Sequence, residues 1–151
     1  MKKILLSFFA LAFSAGVFAQ QKAQSCCSQD YTMEELRAFM LDENRPQFPG
    51  GDSALTEFLK ENTLYPRAYL HFHPSWTITL KFCVEKDGSI SDVKILDGGG
   101  MLELFDKEAI RVVQAMPKWK PATTQSGEPI CAPFILRIRF RVFSGMKVSD
   151  K

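Results

Sequence analysis

The sequence has few of the residues from which enzyme sites are built. It contains two histidines, and it shows no Ser/His/Asp set, phosphate loop or nucleophile motif. The spacing His71-x-His73 would put two imidazoles on one face of an extended chain, which can bind a metal ion. No cysteine or carboxylate cluster accompanies this pair in the sequence. The sequence therefore gives an enzyme or metal protein little support, and we expect no cofactor.

Long apolar runs are also scarce. The longest covers residues 4–18, follows Lys2 and Lys3, and is shorter than the ~20 residues of a membrane-spanning helix. A basic start and a short apolar core predict a signal peptide over residues 1–19, cleaved after Ala19, and thus a periplasmic protein. An uncleaved membrane anchor and lipid attachment at Cys26 are the alternatives.

The chain lacks an excess of charge of either sign. It has 19 Lys and Arg against 17 Asp and Glu, and cleavage of the signal peptide leaves 17 of each. This balance argues against nucleic acid as a partner. The remaining chain of about 130 residues suits one globular domain, and 13 phenylalanines supply apolar bulk for its core.

Four cysteines are present, and an exported chain meets an oxidising compartment in which disulfides persist. Cys83 and Cys131 share the outward parity of two predicted strands. A cross-strand bridge between them is therefore one prediction, if their Cα atoms approach within about 7 Å. Free thiols are the alternative. Cys26 and Cys27 lie in a polar segment and are predicted to bond elsewhere or to stay unpaired.

The predicted domain is preceded by a polar segment over residues 20–45, of which residues 20–30 are predicted to be disordered. Within it, Thr32-x-x-Glu35 is a capping-box pattern, which predicts the start of a short helix. Apolar residues follow at helical spacing: Leu36, Phe39 and Met40. A second helix is predicted over residues 52–62, after a break rich in proline and glycine.

A hairpin, a helix and a final strand make up the rest of the chain. Strands are predicted over residues 76–85 and 90–96, joined by a turn at Asp87-Gly88, and a third helix over residues 104–116. The apolar face of this helix comprises Phe105, Ala109, Ile110, Val113 and Met116. Trp119 is predicted to lie in the core, and residues 144–151 form a tail.

The last predicted strand, residues 134–142, alternates apolar side chains with Arg137, Arg139 and Arg141. The order of elements predicts an α+β fold: a three-stranded antiparallel sheet (ββαβ) with a helix on one face, plus N-terminal helices. The last strand then lies at an edge, where its free N–H and C=O groups are a template for another strand. Arginines on such a strand are also a common protection against aggregation, which is the alternative interpretation.

Five motifs in order make residues 46–143 resemble the C-terminal domain of TonB, in the version common in Bacteroidetes-type bacteria. They are Pro46-Gln47-Phe48-Pro49-Gly50-Gly51, Tyr65-Pro66, Phe82-x-Val84-x-x-Asp87-Gly88, Phe105-Asp106-Lys107-Glu108-Ala109 and Met116-Pro117-x-Trp119-x-Pro121.

The resemblance implies a role in energy-coupled transport across the outer membrane. TonB proteins carry energy from the ExbB–ExbD complex to TonB-dependent outer-membrane receptors. Their C-terminal domain binds the receptor's TonB box by strand addition to the last strand of the domain. The partner-binding residues implied here are Phe134, Ile135, Leu136, Arg137, Ile138, Arg139, Phe140 and Arg141, with Asn62, Tyr65 and Pro66 beside the receptor.

The short length of the segment before the domain argues against a full transducer role. About 27 residues, at most on the order of 90 Å when extended, are expected between the signal peptide and the domain. Contact with ExbB–ExbD is therefore expected only if the chain is anchored in the membrane. The alternative is a soluble periplasmic adaptor or regulatory module of the same fold, without energy transduction. Edge-to-edge pairing into a homodimer is a further expectation.

Overall fold

The computed structural model describes residues 32–149, except residue 73 and the side chain of Phe39. The predicted signal peptide, the predicted disordered segment, Cys26, Cys27 and His73 lie outside the described residues. The α-helices are α1 (Met33–Leu41), α2 (Gly51–Asn62) and α3 (Glu103–Gln114), and a short 3-10 helix spans Arg67–Tyr69. The strands are β1 (Leu64–Tyr65), β2 (Trp76–Val84), β3 (Ile90–Asp97), β4 (Ala122–Thr123), β5 (Pro129–Ile130), β6 (Ala132–Phe140) and β7 (Lys147–Val148).

Helix α1 begins at the predicted capping box. The hydroxyl of Thr32 accepts a hydrogen bond from the Glu35 amide at 3.3 Å, and the Thr32 amide donates to the Glu35 carboxylate at 2.7 Å. The backbone and hydroxyl donors of Thr32 lower the pKa of Glu35, because they favour its charged form. Two of the free amides at the helix start are thus paired, as the sequence predicts.

The central sheet has three antiparallel strands in the order β3-β2-β6. The predicted fold class is confirmed, and β6 lies at an edge of this sheet. Strand β6 begins and ends two residues earlier than predicted. The reason is its register: Val84 pairs with Ala132 and Trp76 pairs with Phe140, so β2 offers no partner to Arg141.

The inner face of the sheet packs against α3 and forms the main core. Phe105, Ala109 and Val113 of α3 are fully buried, as predicted, and Val112 is buried as well. Trp119 is 3% exposed and packs its ring against three phenylalanines, which confirms its predicted place in the core. The ring centroids lie 4.7 Å from Phe134, 5.3 Å from Phe82 and 5.6 Å from Phe48.

The outer face of the sheet is covered more than the strand pattern predicts. Thr79, Lys81 and Cys83, which have outward parity on β2, are all buried. Helix α1 packs against β6, and Leu36 of this helix is 2% exposed. Strand β2 is therefore buried on both faces from Ile78 onward, and the sheet lies between α1 and α3.

The segment predicted to be a tail contains a strand. Lys147 and Val148 of β7 pair in parallel with Leu64 and Tyr65 of β1, directly after α2. The Ser149 amide extends this pairing by donating to the Tyr65 carbonyl at 3.1 Å. A strand of two residues has too little pattern to be recognised in a sequence, which is why the sequence does not predict β7.

Candidate functional site: the open edge of the sheet

Strand β6 has a neighbouring strand on one side only. It pairs with β2 along all nine of its residues, and no other strand of the described residues pairs with its second side. In an antiparallel pair, the N–H and C=O groups of alternate residues point away from the partner. Alternate residues of β6 therefore present donors and acceptors on the open side, as the sequence predicts.

A groove of about 410 Å³ runs beside this open side, between β6, helix α2 and the chain around β1 and β7. Its apolar lining consists of Leu59, Tyr65, Ile138, Phe140, Phe143 and Met146. Concave, mostly apolar clefts with a few polar groups are typical binding sites. The groove thus places apolar surface next to unpaired strand backbone.

The charged residues that line the groove all carry the same sign. They are Lys60, Arg137, Arg139, Arg141 and Lys147, and the lining contains no carboxylate. Arg137 and Arg139 are exposed on β6, and Arg141 follows directly after it. A cleft lined by one sign of charge attracts segments of the opposite sign, and the attraction falls as salt is added.

Tyr65 forms a fixed wall of the groove. Its side chain is 3% exposed, and its hydroxyl donates to the Pro74 carbonyl at 2.9 Å. Burial raises the pKa of Tyr65, so the phenol stays neutral and keeps this donor. The ring packs edge-on against Phe105 with a centroid distance of 5.3 Å. Of the three residues predicted to lie beside the receptor, Tyr65 is the one that lines this groove.

Asn62 and Pro66 lie elsewhere. The amide nitrogen of Asn62 donates to the Phe58 carbonyl at 2.9 Å, within the last turn of α2. Pro66 is buried and lines a separate depression with Leu104 and Lys107 on the side of α3. The structure therefore brings Tyr65 together with β6, whereas neither Asn62 nor Pro66 lines the groove.

An ion pair between the buried Glu108 and the partly exposed Arg111, not identified from the sequence, positions this part of the site. Glu108 is 8% exposed; its carboxylate accepts from the Leu64 amide at 2.7 Å and from Arg111 through two bonds of 2.7 Å. Arg111 also donates to the Asn62 carbonyl at 2.6 Å. The hydrogen bonds to Glu108 raise the pKa of Arg111. Glu108 stands in one of the five motifs, but its partner Leu64 is 44 residues away.

The predicted binding residues of β6 divide into two groups. The side chains of Phe134, Leu136, Ile138 and Phe140 are between 2% and 6% exposed and hold the strand in the core. Ile135 is half-buried under α1, and Arg137 and Arg139 are exposed. A partner strand at this edge would therefore meet backbone along all of β6 but free side chains mainly at the arginines.

The other candidates from the sequence lie away from the groove. Cys83 and Cys131 are each disulfide-bonded, and the register places Cys83 opposite Pro133. The bridge predicted between these two cysteines stays a prediction. His71 is exposed, and the described part of the chain holds no group of His, Cys, Asp and Glu arranged for a metal ion.

Within residues 32–149, none of the helices has the length and apolar character needed to cross a membrane. The described residues thus form a small α+β fold in which the open edge of β6 adjoins a cationic groove. Residues 62–142 match the family model described as the Gram-negative bacterial TonB protein C-terminal. The match covers more than half of the chain, and the protein belongs to this family.

The chain is similar to the NMR solution structure of the Helicobacter pylori TonB C-terminal domain (residues 179–285). The two chains are 13% identical with a TM-score of 0.46, and the alignment covers 77% of this chain and 99% of that chain. No curated protein matches the sequence.

Proposed function

We propose that this protein is a periplasmic TonB-like module that binds TonB-dependent outer-membrane receptors by strand addition and takes part in energy-coupled transport. The observation that carries the proposal is the open side of β6 next to the cationic groove. Membership of the TonB C-terminal family supports it independently. In this proposal, the receptor's TonB box becomes the fourth strand of the sheet.

The main chain of β6 supplies most of the affinity in this mechanism. Alternate residues between Ala132 and Phe140 exchange N–H and C=O bonds with the incoming strand, which requires no particular side chain. The buried side chains of β6 keep the template rigid, so little ordering accompanies binding. The apolar lining of the groove then receives side chains of the incoming segment.

The cations of the groove select which segment binds. Arg137, Arg139 and Arg141 recur at every second residue, with the same spacing as side chains on one face of an incoming strand. Carboxylates at alternate positions of the receptor segment therefore meet guanidinium groups. We expect peptides with acidic residues to bind more tightly than neutral ones, with an affinity that decreases as salt rises.

The test uses synthetic peptides that carry the N-terminal segments of the host's own TonB-dependent receptors. Their binding is followed by NMR, with hydrogen exchange measured for each backbone amide. We expect alternate amides of β6 to gain protection, because strand addition pairs every second N–H. New protection on β3, or on no strand at all, would show that the edge of β6 is not the binding surface.

Two kinds of variant sharpen this test. Of the neighbouring residues Ile138 and Arg139, one directs its amide to the open side of β6. Proline at that residue removes a donor and should abolish strand addition, provided that a matching urea unfolding curve shows the variant to be folded. Arg139→Glu should weaken an acidic peptide about tenfold or more. The matched control is Lys94→Glu, since Lys94 is exposed on β3 at the opposite edge and should leave the affinity unchanged.

An energy transducer and an adaptor of the same fold are expected to have different effects on receptor-dependent uptake in cells. Loss of a transducer stops receptor-dependent uptake, whereas loss of an adaptor changes the partners recovered with the receptor and leaves uptake running. Uptake by a deletion strain, complemented with wild type or with Arg139→Glu, separates the two functions. Rescue by wild type alone supports transduction through this edge.

A further inference from the structure

Strand β3 forms the second edge of the central sheet. It pairs with β2 on one side, and none of the other described strands pairs with its second side. A sheet with two open edges offers a template for a partner strand at either of them. The two edge strands differ in how they pair with β2, and this difference indicates which edge accepts a strand.

The register of β6 is unbroken, whereas the register of β3 shifts twice. Strand β6 pairs residue by residue with β2 along all nine of its residues. The pairing of β3 shifts a first time between Thr79 and Leu80 of β2. It shifts again between Lys81 and Cys83. At each shift β3 has one residue more than β2, which is the definition of a β-bulge.

The extra residues of β3 are Asp92 and Leu96. Asp92 and Val93 stand opposite the single residue Phe82 of β2. Val93 packs against the core, so Asp92 is the inserted residue, and its φ of +47° is the one positive φ of a non-glycine residue in the described part of the chain. Leu96 lies between two residues that pair with consecutive residues of β2, so it has no partner on β2.

The other six residues of β3 alternate as those of a regular strand do. In chain order they are Ile90, Ser91, Val93, Lys94, Ile95 and Asp97. The three apolar ones pack against the core, and the three polar ones fall between them. The two inserted residues therefore interrupt an otherwise regular period of two. With them in place, no stretch of β3 longer than three residues keeps one register.

We propose that the bulges at Asp92 and Leu96 close the β3 edge to strand addition, so that the sheet accepts a partner strand at β6 alone. An incoming strand needs donors and acceptors at every second residue of its template. Each bulge adds a residue, bends the strand and increases its twist, so this spacing is lost after at most three residues. Bulges are one of the ways in which natural sheets protect an edge.

A sheet with one accepting edge stops growing after it has received one strand. With two accepting edges, β3 of one copy could pair with β6 of the next, which is a head-to-tail contact that does not close and leads to filaments. The bulges thus allow β6 to stay open without making the protein polymerise. This inference concerns β3 and holds whichever strand binds β6.

The test removes the bulges and keeps the two faces of the strand. A variant that lacks both Asp92 and Leu96 has six β3 residues in regular alternation. Sedimentation velocity and hydrogen exchange of each backbone amide are measured in dilute and in concentrated solution. We expect this variant to associate, with alternate β3 amides protected about tenfold more in concentrated solution. The β3 amides of the wild-type protein should show no such change.

Asp92→Asn is the matched control. Asparagine also tolerates a positive φ, so this variant keeps the bulge and loses only the charge. It should behave like the wild-type protein. Association of Asp92→Asn through β3 would assign the closure to the carboxylate and overturn the proposal. A folded deletion variant whose β3 amides stay unprotected at every concentration would overturn it as well.

Deletion of Asp92 alone is a second variant, for use if the double deletion does not fold. It leaves residues 90–95 with one regular register, and the resulting five residues are a typical strand length. Matching urea unfolding curves show which variants are folded, and the same protection of β3 is expected. The wild-type protein provides a further test that needs no variant. Protection of its β3 amides that rises with protein concentration would contradict the proposed closure.

Discussion

The backbone of Gly88 lies directly against the backbone of Trp119. The Gly88 carbonyl accepts a hydrogen bond from the Trp119 amide at 2.8 Å, and a Cβ at Gly88 would lie 2.1 Å from the Trp119 carbonyl oxygen. Gly88 also has a φ of +82°, which L-residues rarely adopt. The turn between β2 and β3 is thus attached to the core through Trp119, which lies in the segment after α3.

Gly88→Ala is expected to destabilise the fold by about 3 kcal/mol or more, because the new methyl group must push two backbones apart. Gly127→Ala is the matched control, since Gly127 has a φ of +85° and a methyl group there would meet no neighbouring part of the fold within 4 Å. The control carries only the conformational cost of about 1 kcal/mol. Urea unfolding followed by tryptophan fluorescence measures both; equal losses would show that the contact with Trp119 is unimportant.

Glu108→Ala is expected to destabilise the protein by about 2–3 kcal/mol, because the Leu64 amide loses its acceptor and Arg111 its partner. Glu103→Ala is the control, since Glu103 pairs with Lys107 on the same helix but at its exposed surface. The control should leave the urea midpoint unchanged. The Leu64 amide should also exchange its hydrogen faster in Glu108→Ala than in the wild-type protein. Unchanged protection of this amide would contradict the role given to Glu108.

The elements set by local chemistry were predictable from the sequence. The capping box of Thr32 and Glu35 marks the start of α1, and the alternation along β6 marks an edge strand with arginines on one face. The approach of Leu64 to Glu108 could not be predicted, because a hydrogen bond over 44 residues leaves no periodic pattern. Amphipathic spacing also shows that α1 buries one side without showing which surface it covers.

Leu36→Ala is expected to cost about 2–4 kcal/mol, because Leu36 is 2% exposed and its removal leaves a cavity under α1. Leu41→Ala changes the same residue type on the same helix, but Leu41 is 85% exposed and should leave the stability unchanged. Equilibrium unfolding in urea gives both values. If neither variant changes the free energy of unfolding, α1 is not an integral layer of the fold.

Asp87 is expected to make the hairpin turn sensitive to acid. The Ser89 hydroxyl and Lys118 hold the pKa of Asp87 well below its ordinary value of 3.8. A lowered pKa in the folded state contributes stability that is complete above 3.8 and is lost as the pH falls towards the folded-state pKa. Urea midpoints of wild type and Asp87→Asn should therefore differ at pH 7 and converge in acid. In a Ser89→Ala background, the difference between the urea midpoints with Asp87 and with Asn at position 87 should be smaller. A difference between the midpoints that stays constant at every pH would contradict this account.

Met146→Ala is expected to weaken receptor-peptide binding about fivefold, because Met146 supplies apolar surface to the groove beside β6. It reaches this position because the following strand, β7, pairs with β1. Met101→Ala is the matched control, since Met101 is 77% exposed and does not line the groove. Titration calorimetry with one acidic receptor peptide compares the two variants. Equal affinities would mean that the incoming strand binds β6 without entering the groove, and the segment after Phe143 would then have no part in recognition.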